Sequence, residues 1–263
     1  LPIQWFESKL NQTIAEVHDL FDKYRLSDAL NLIYKLIWDD FCSWYLEWIK
    51  PPYGECIHAD IHEDTINFLE ELLQLLHPYM PFITEEIYHH LRPGNTDIMI
   101  SSYKHEAAFD KDILSAGEHL KSLITTIRDA RNKFKLQQKE PISLYIETGS
   151  PKAFEQIADL LKKQSYAHTI LLNQQPINQS LQIVCGNEKL FIITEGEVNV
   201  EEQRQQLEKD LNYYHGFLQS VEKKLSNQNF VTKAKPEIVE LERKKKSDAL
   251  EKIRVIEESL KSL

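Results

Sequence analysis

Two runs of apolar residues near the C-terminus are spaced as in a coiled coil, and they constrain the fold more than any other feature. The first run alternates steps of four and three residues and comprises Leu207, Leu211, Tyr214, Leu218, Val221 and Leu225. The second repeats that spacing and comprises Ala249, Ile253, Ile256, Leu260 and Leu263. Such heptads are typical of helices that pack along one seam. Because Pro236 lies between the runs, the spacing predicts an antiparallel hairpin with its turn over residues 226–235.

Two further apolar stripes recur every three or four residues, which is the spacing of amphipathic α-helices. The first comprises Leu30, Ile33, Ile37, Phe41, Trp44 and Trp48. The second predicts a helix over residues 110–135 and comprises Ile113, Ala116, Leu120, Leu123, Ile127, Ala130 and Phe134. The front of the chain is therefore predicted to be a helical bundle.

After the bundle, apolar and polar residues alternate instead, as in β-strands. Strands are predicted over residues 143–147, 181–185 and 190–194, and a helix over 153–163. The predicted fold class is thus mainly α, in three parts: a helical-bundle domain over residues 1–140, a small α/β linking element over 141–199 and an antiparallel coiled-coil hairpin over 200–263. No apolar run approaches the length of a membrane span, so no membrane partner is expected.

The formal net charge of −10 argues at first against a nucleic-acid ligand, but the charge is unevenly distributed. Residues 200–263 hold 13 basic and 12 acidic side chains, so the acidity lies in the front of the chain. Residues 223–246 hold eight basic and three acidic side chains, and residues 127–139 hold five and one. These two basic segments are where a polyanion such as RNA could bind.

Several side chains are candidate RNA contacts on this basis. Those of the hairpin are Lys223, Lys224, Lys233, Lys235, Arg243, Lys244, Lys245 and Lys246. Arg128 and Arg131, with Lys135, are predicted to share one face of the long helix over residues 110–135. For that face a merely solvated surface is an equally good interpretation, whereas the clustering of one sign of charge in the hairpin favours RNA.

Sequence motifs for catalysis and nucleotide binding are absent. The chain has no G-x-x-x-x-G-K-[ST], G-x-G-x-x-G or G-x-S-x-G segment, and its three cysteines form no C-x-x-C pair. No catalytic residue, cofactor or metal is therefore expected in this chain, and the cysteines fit a reducing cytoplasm. The acidic and histidine residues at 58–64 are interpreted as a polar lead into a helix. Glu47, beside aromatic residues, is a candidate for reading unpaired bases.

Three segments resemble a known family. Residues 38–47 (WDDFCSWYLE) with Lys50 and Pro51 are similar to the F-C-x-W-Y-L-E…K-P signature of valyl-tRNA synthetases. Residues 76–87 (LHPYMPFITEEI) resemble the L-H-P-x-M-P-F-x-T-E-E-[IL] segment that the valyl, leucyl and isoleucyl enzymes share. Residues 224–243 resemble the valyl coiled-coil arm. The likeness covers nearly the whole chain and is weakest over residues 141–199.

The resemblance implies the C-terminal part of a cytoplasmic, monomeric ligase that charges tRNA(Val) with valine using ATP. It implies an anticodon-binding bundle that lacks its first helices, and an arm that contacts the outer corner of tRNA; the catalytic and editing centres would lie outside this chain. Leu46 and Glu47 would face the anticodon, and the basic residues of the hairpin would contact the RNA as a group. DNA is not an expected partner.

Two other functions remain open at this stage. The chain could be a non-enzymatic structural module whose hairpin binds a protein partner. Less favoured is a hydrolase that uses Asp39, Asp40 and Glu47 as paired carboxylates, because one helix fixes no cleft for a substrate. An isoleucyl enzyme is disfavoured because its C-terminal zinc-binding cysteines are missing, and a leucyl enzyme because it lacks such a hairpin.

Overall fold

A computed structural model describes residues 1–94, 96–101, 108–134, 136–137, 139–174, 180–186, 188–193, 200–227 and 236–262. The chain divides into two compact units, Leu1–Lys121 and Ser122–Leu263. The mainly α fold class predicted from the sequence is confirmed. The three-part division at residues 140 and 199 stays a prediction. No helix in the described part of the chain is long and apolar enough to cross a membrane.

The first unit is built from helices. Their bounds are α1 Pro2–Asp22, α2 Leu26–Lys35, a π-helix Leu36–Tyr45, α3 Leu46–Ile49, α4 Ala59–Leu76, α5 Pro81–Leu91, a 3₁₀ turn Ile98–Ile100 and α6 Lys111–Lys133. Proline stands at the start of α1 and α5, where its missing N–H costs nothing because the first helical N–H groups have no partner within the helix. The boundary between the units falls within α6.

α2, the π-helix and α3 follow one another without a break, and the middle stretch is wound more widely than an α-helix. The Ser43 hydroxyl donates to the Trp38 carbonyl oxygen, five residues back, at 2.8 Å. The wide winding moves the buried stripe away from its predicted positions. Leu36 and Tyr45 are fully buried, whereas two members of the predicted stripe, Ile37 and Trp44, are only half-buried. The prediction was wrong there because it assumed α-helical spacing throughout.

Aromatic rings form the core of the first unit. Trp5 packs against Trp48 with ring centroids 4.6 Å apart. Phe6 contacts Tyr45 at 5.0 Å and Phe68 at 5.1 Å. All five side chains are buried, so α1, the π-helix, α3 and α4 share one core. Burying a large apolar side chain contributes about 1.5–3 kcal/mol.

The second unit contains a four-stranded sheet. Its strands are β1 Ile142–Glu147, β2 Ala167–Leu172, β3 Leu181–Cys185 and β4 Glu188–Ile193, and its short helices are α7 Lys152–Glu155 and α8 Ala158–Ser165. The strand order is β2-β1-β4-β3, with β1 and β2 parallel and the other pairs antiparallel. Three of the strands lie where the sequence predicts them. β2 was missed, and the predicted helix over residues 153–163 is divided in two.

Two long helices complete the second unit, α9 Val200–Ser226 and α10 Pro236–Ser262. Glu222 pairs with Lys246, and Lys224 with Glu242. These pairs run in opposite order along the two helices, so the helices are antiparallel, as predicted. The buried contact uses the predicted apolar positions Leu207, Val221, Ala249, Ile253 and Ile256. Most of the predicted turn, residues 228–235, lies outside the described residues.

Candidate nucleic-acid interface

The first candidate site is at the C-terminal end of the continuous helix that α2, the π-helix and α3 form together. Leu46 and Glu47 lie there. Leu46 is half-buried and Glu47 is exposed. The Lys50 ammonium donates to both carboxylate oxygens of Glu47, at 3.0 and 3.3 Å. The neighbouring Trp48 is buried in the aromatic core, so the backbone that carries Glu47 is anchored while its carboxylate faces solvent. Such a carboxylate can accept hydrogen bonds from the amino groups of bases.

A partly buried ion cluster contacts this helix through the buried Asp40. The Lys121 ammonium donates to Asp40 Oδ1 at 2.8 Å and to Glu118 Oε1 at 3.0 Å. The same ammonium lies 5.1 Å from the Trp5 ring and 5.8 Å from the Trp44 ring. Burial lowers the pKa of Lys121, but its hydrogen bonds and its attraction to the two carboxylates outweigh burial and raise the pKa above the ordinary value. Lys121 is therefore a charged structural residue.

The two arginines predicted as RNA contacts on α6 have different surroundings. Arg128 is exposed, with its guanidinium 3.4 Å from the Gln164 side-chain oxygen. Arg131 is only 1% exposed. Its guanidinium donates to the carbonyl oxygens of Gln137 and Glu140 at 2.7 Å and of Ser165 at 2.8 Å.

Burial lowers the pKa of Arg131. The side chain donates to three backbone carbonyl oxygens, of which that of Gln137 also accepts the Glu140 N–H. The prediction that Arg131 contacts RNA is therefore wrong, because its donors already hold the end of α6 to the neighbouring backbone. Lys135, predicted on the same face, lies outside the described residues.

The second candidate site is the distal part of the α9–α10 hairpin. Four of its candidate basic residues form ion pairs. Lys224 and Lys245 pair with Glu242 at 3.6 and 2.7 Å, Lys246 pairs with Glu222 at 2.8 Å, and Arg243 lies 3.7 Å from Glu240. Lys233 and Lys235 lie outside the described residues.

Lys223 and Lys244 differ from these four. Both are exposed, and neither forms an ion pair with any described residue. Lys223 lies midway between the seam residues Val221 and Leu225, so it projects from the side of α9 that faces away from α10. Lys244 has the corresponding place on α10. The two ammonium groups are therefore free to bind phosphate, and they project from opposite edges of the hairpin.

Glu242 is a charged residue within the seam. It is 5% exposed and stands three residues after the buried Val239. The hydrogen bond from Lys245 lowers the pKa of the Glu242 carboxyl, with help from the charge of Lys224 and against the effect of burial. Sequence reasoning missed this position because a charged residue interrupts the apolar spacing. The heptad register could have revealed it, because the spacing of the second seam extends back from Ala249 to positions 246 and 242.

A metal could be held in the described residues by Glu85, His89 and Asp97, whose ligand atoms lie within 4.8 Å of one another. His89 Nε2 lies 3.3 Å from Glu85 Oε1 and 3.0 Å from Asp97 Oδ1. Glu85 also accepts the Ile98 N–H at 2.8 Å. A hydrogen bond between His89 and Asp97 and one from the Ile98 N–H to Glu85 hold these side chains in place. The residues at 58–64, interpreted from the sequence as a polar lead into a helix, stand at the start of α4.

Two family models match the parts of the chain that contain the two candidate sites. Residues 4–146 match the family model described as the anticodon-binding domain of tRNA ligase. Residues 199–263 match the model described as the valyl tRNA synthetase tRNA binding arm.

Curated relatives named valine–tRNA ligase align with the whole chain or nearly so. Identity is 41% over 266 residues for the protein of Phocaeicola vulgatus, 38% over 267 residues for Bacteroides thetaiotaomicron and 32% over 270 residues for Enterococcus faecalis. The alignment takes in all of this chain in the first two cases and 99% in the third, and 30 to 31% of each relative. The chain thus spans about a third of the length of these relatives. It belongs to the tRNA ligase family that has this anticodon-binding domain, and it includes the valyl-type tRNA-binding arm.

Proposed function

We propose that this chain is the tRNA-binding region of a valine–tRNA ligase. It would hold the anticodon and the outer corner of tRNA(Val) while a catalytic domain elsewhere in the parent protein charges that tRNA with valine, using ATP. The observation that carries the proposal is the presence in one chain of an anticodon-binding domain and a valyl-type arm.

The two sites are suited to different tasks. Leu46 and Glu47 offer an apolar surface and a carboxylate on an anchored helix, which suits the recognition of base edges. Arg128 and the hairpin lysines offer positive charge, which suits phosphate. Phosphate contacts add affinity that depends on salt but not on sequence. Because the sites belong to one chain, binding at one raises the effective concentration of RNA at the other.

Further properties belong to the same proposal. The chain would need no cofactor of its own, since ATP would be used by the catalytic domain of the parent. The parent would act as a monomer in the cytoplasm, where its free cysteines Cys42, Cys56 and Cys185 would stay reduced. Its RNA partner would be tRNA(Val), and it would not bind DNA.

The salt dependence of tRNA binding tests the role of the hairpin. Lys223→Gln, Lys244→Gln and the double variant are compared with wild type for tRNA(Val) affinity across a range of salt concentrations. Each lysine that contacts a phosphate should lower the slope of log affinity against log salt by about one when it is removed. Because the two lysines lie on opposite edges, the single variants show which edge faces the RNA.

Lys162→Gln is the matched control, because Lys162 is also exposed but lies on α8. It should leave the slope unchanged. If the double variant keeps the wild-type slope, the described part of the hairpin does not bind tRNA through these two residues, and the proposal for the arm fails.

Exposed apolar residues on α10 support one other function. Ile238, Leu241 and Leu250 are all exposed, and a hairpin with such residues could bind a protein partner. Excess tRNA(Val) in a mobility-shift assay separates the two functions. An RNA-binding hairpin yields a tRNA complex that Lys223→Gln and Lys244→Gln weaken, whereas a protein-binding module yields no such complex.

A further inference from the structure

The π-helix determines which residues share the exposed side of the continuous helix. A π-helix has about 4.4 residues per turn, against about 3.6 in an α-helix. Exposed residues follow the wider period, at Tyr34, Trp38, Cys42 with Ser43, and Glu47. With α-helical spacing, the positions in line with Trp38 would instead include Phe41 and Tyr45, which are buried. The pattern of burial therefore agrees with the π-helical hydrogen bonding.

The wide winding brings Trp38 and Glu47 to the same side. These residues are nine positions apart, so an α-helix would place them about 180° apart around its axis. With the observed π stretch the angle falls to about 50°. Leu46 lies at a similar angle from Trp38 around the helix axis, but in the opposite direction. Leu46, Glu47 and Trp38 thus belong to one surface, although regular α-helical geometry would place Glu47 on the opposite side of the helix from Trp38.

Tyr34 and Trp38 form an aromatic pair on this surface. Their ring planes are 11° apart and their centroids 6.4 Å apart. The side chains are 58% and 60% exposed. More than half of each side chain is therefore open to solvent, and the pair presents ring faces on which a base could stack.

The surroundings of the pair favour an RNA base over a protein partner. Asn31, Lys35 and Asp39 adjoin the rings along the helix, and all three are exposed and polar. The amide and the carboxylate can bond to base edges and the ammonium to phosphate, whereas the core of a protein interface is depleted of charged residues. From Trp38 to Glu47 the helix rises at most about 13 Å, which is the span of three or four stacked bases.

We propose that Tyr34 and Trp38 are a stacking platform for an unpaired base of the RNA that contacts Leu46 and Glu47. The inference rests on the proposed tRNA-binding function and names the base-stacking residues of that site. Aromatic side chains are a general means of holding unpaired bases, because every base has a flat face. The carboxylate of Glu47 would then read a base edge while the rings hold an adjacent base in place.

The test uses the 263-residue chain and two RNAs. One is a hairpin with the anticodon stem and loop of a valine tRNA, and the other is the same stem as a blunt duplex without unpaired bases. Trp38→Leu and Tyr34→Leu should each weaken binding of the loop hairpin by roughly 5- to 100-fold, as expected for loss of one base stack. Trp38→Phe, which keeps an aromatic face, should stay within a few-fold of wild type.

Controls separate stacking from other effects. Phe82→Leu removes an aromatic ring that is 91% exposed on a different helix, and it should not change binding. The blunt duplex should bind all variants equally. Quenching of tryptophan fluorescence by acrylamide should fall when the loop hairpin is added, because Trp5 and Trp48 are already buried and Trp38 is the most exposed tryptophan. Thermal unfolding checks that each variant is folded.

The inference fails if the Tyr34→Leu/Trp38→Leu double variant binds the loop hairpin as tightly as wild type. It also fails if Trp38 remains as accessible to acrylamide with RNA as without it, which would leave the pair to a protein contact. In either case the tRNA-binding proposal survives if the lysine variants still lower the salt slope. If the wild-type chain binds neither tRNA(Val) nor the loop hairpin, both proposals fall.

Discussion

The bundle and the hairpin use charge in opposite ways. In the bundle, Lys121 is held by Asp40 and Glu118 between aromatic rings, and its charge supports the helix that carries Glu47. In the hairpin, Lys223 and Lys244 are exposed and lie on the sides of α9 and α10 that face away from the seam. Base recognition requires fixed geometry, whereas phosphate contact requires only charge near the RNA. The bundle should therefore tolerate few changes, and the hairpin many.

The largest expected effect comes from removing the Lys121 ammonium, which is the partner of the buried Asp40 carboxylate. Lys121→Met should lower the free energy of unfolding by about 3–5 kcal/mol, because it leaves the Asp40 carboxylate buried without its partner. Tryptophan fluorescence is a suitable probe in urea, since all four tryptophans lie in the first unit. Lys111→Met is the control, as Lys111 is an exposed residue of the same helix.

The loss of unfolding free energy in Lys121→Met should become smaller at high pH. The pKa of Lys121 is raised in the folded protein, so its contribution is complete below the ordinary lysine pKa and is lost as the pH rises through the folded value. The difference between wild type and Lys121→Met should be constant near neutral pH and shrink above about pH 10.5. A difference that already falls between pH 6 and 9 would contradict this role.

Glycine-to-alanine substitutions test whether the bundle tolerates an added methyl group less well than the hairpin does. A Cβ at Gly117 would lie 2.0 Å from the buried Trp5 ring, whereas one at Gly216 in α9 would meet no atom within 4 Å. Gly117→Ala should destabilise the bundle by about 2–3 kcal/mol through overpacking. Gly216→Ala should stabilise the hairpin by about 0.5–1 kcal/mol, because alanine is the better helix former. Tryptophan fluorescence measures the unfolding of Gly117→Ala, and hydrogen exchange of the α9 amides measures the stability of Gly216→Ala.

Effects of the same sign at both glycines would remove the contrast. In particular, a Gly216→Ala variant that loses protection in α9 would mean that the hairpin is as tightly packed as the bundle.

The smallest expected effect concerns Glu242. Among the described seam positions of the hairpin, it is the one charged residue that is buried, as Asp40 is in the bundle. Its pKa is lowered by Lys245 and Lys224, so its contribution is present above the ordinary carboxyl pKa and is lost as the pH falls. Glu242→Gln should lower the melting midpoint followed by far-UV circular dichroism at neutral pH. The gap to wild type should close as the pH falls below about 4.5.

Glu240→Gln is the comparison, because Glu240 is exposed and faces Arg243 at 3.7 Å. It should leave the midpoint unchanged at every pH. If Glu242→Gln melts at or above the wild-type temperature near neutral pH, the buried pair contributes nothing to the stability of the hairpin, as happens for some buried ion pairs.

The sequence predicts the hairpin well because its fold depends on apolar spacing, which can be counted. It predicts the middle of the bundle less well, since the π-helix changes the period and moves Leu36 and Tyr45 into the core. Charge proved ambiguous for a related reason. Arg131 was interpreted as a phosphate contact, although it stands four residues after Ile127, in line with the buried stripe. A sequence gives the sign of a charge, but burial depends on the packing around it.

The candidate base-reading site was only partly visible for the same reason. Glu47 could be singled out by its neighbours and by resemblance, whereas Tyr34 and Trp38 could not be joined to it under α-helical spacing. The ion pairs of Lys224, Lys245 and Lys246 depend on the register between two helices, which fixes the partners of each lysine. That register also shows which lysines remain available to RNA.

Under the proposed function, the widened turns between Leu36 and Tyr45 make the specificity of this surface depend on core side chains as well as on exposed ones. The wide winding sets the angle between Trp38 and Glu47 around the helix axis, and the packing of the core side chains maintains that winding. A substitution in the core that restored ordinary winding would rotate Glu47 away from Trp38 while leaving every exposed residue unchanged. Relatives with identical surface residues could then differ in RNA recognition, and a comparison restricted to contact residues would overlook the cause.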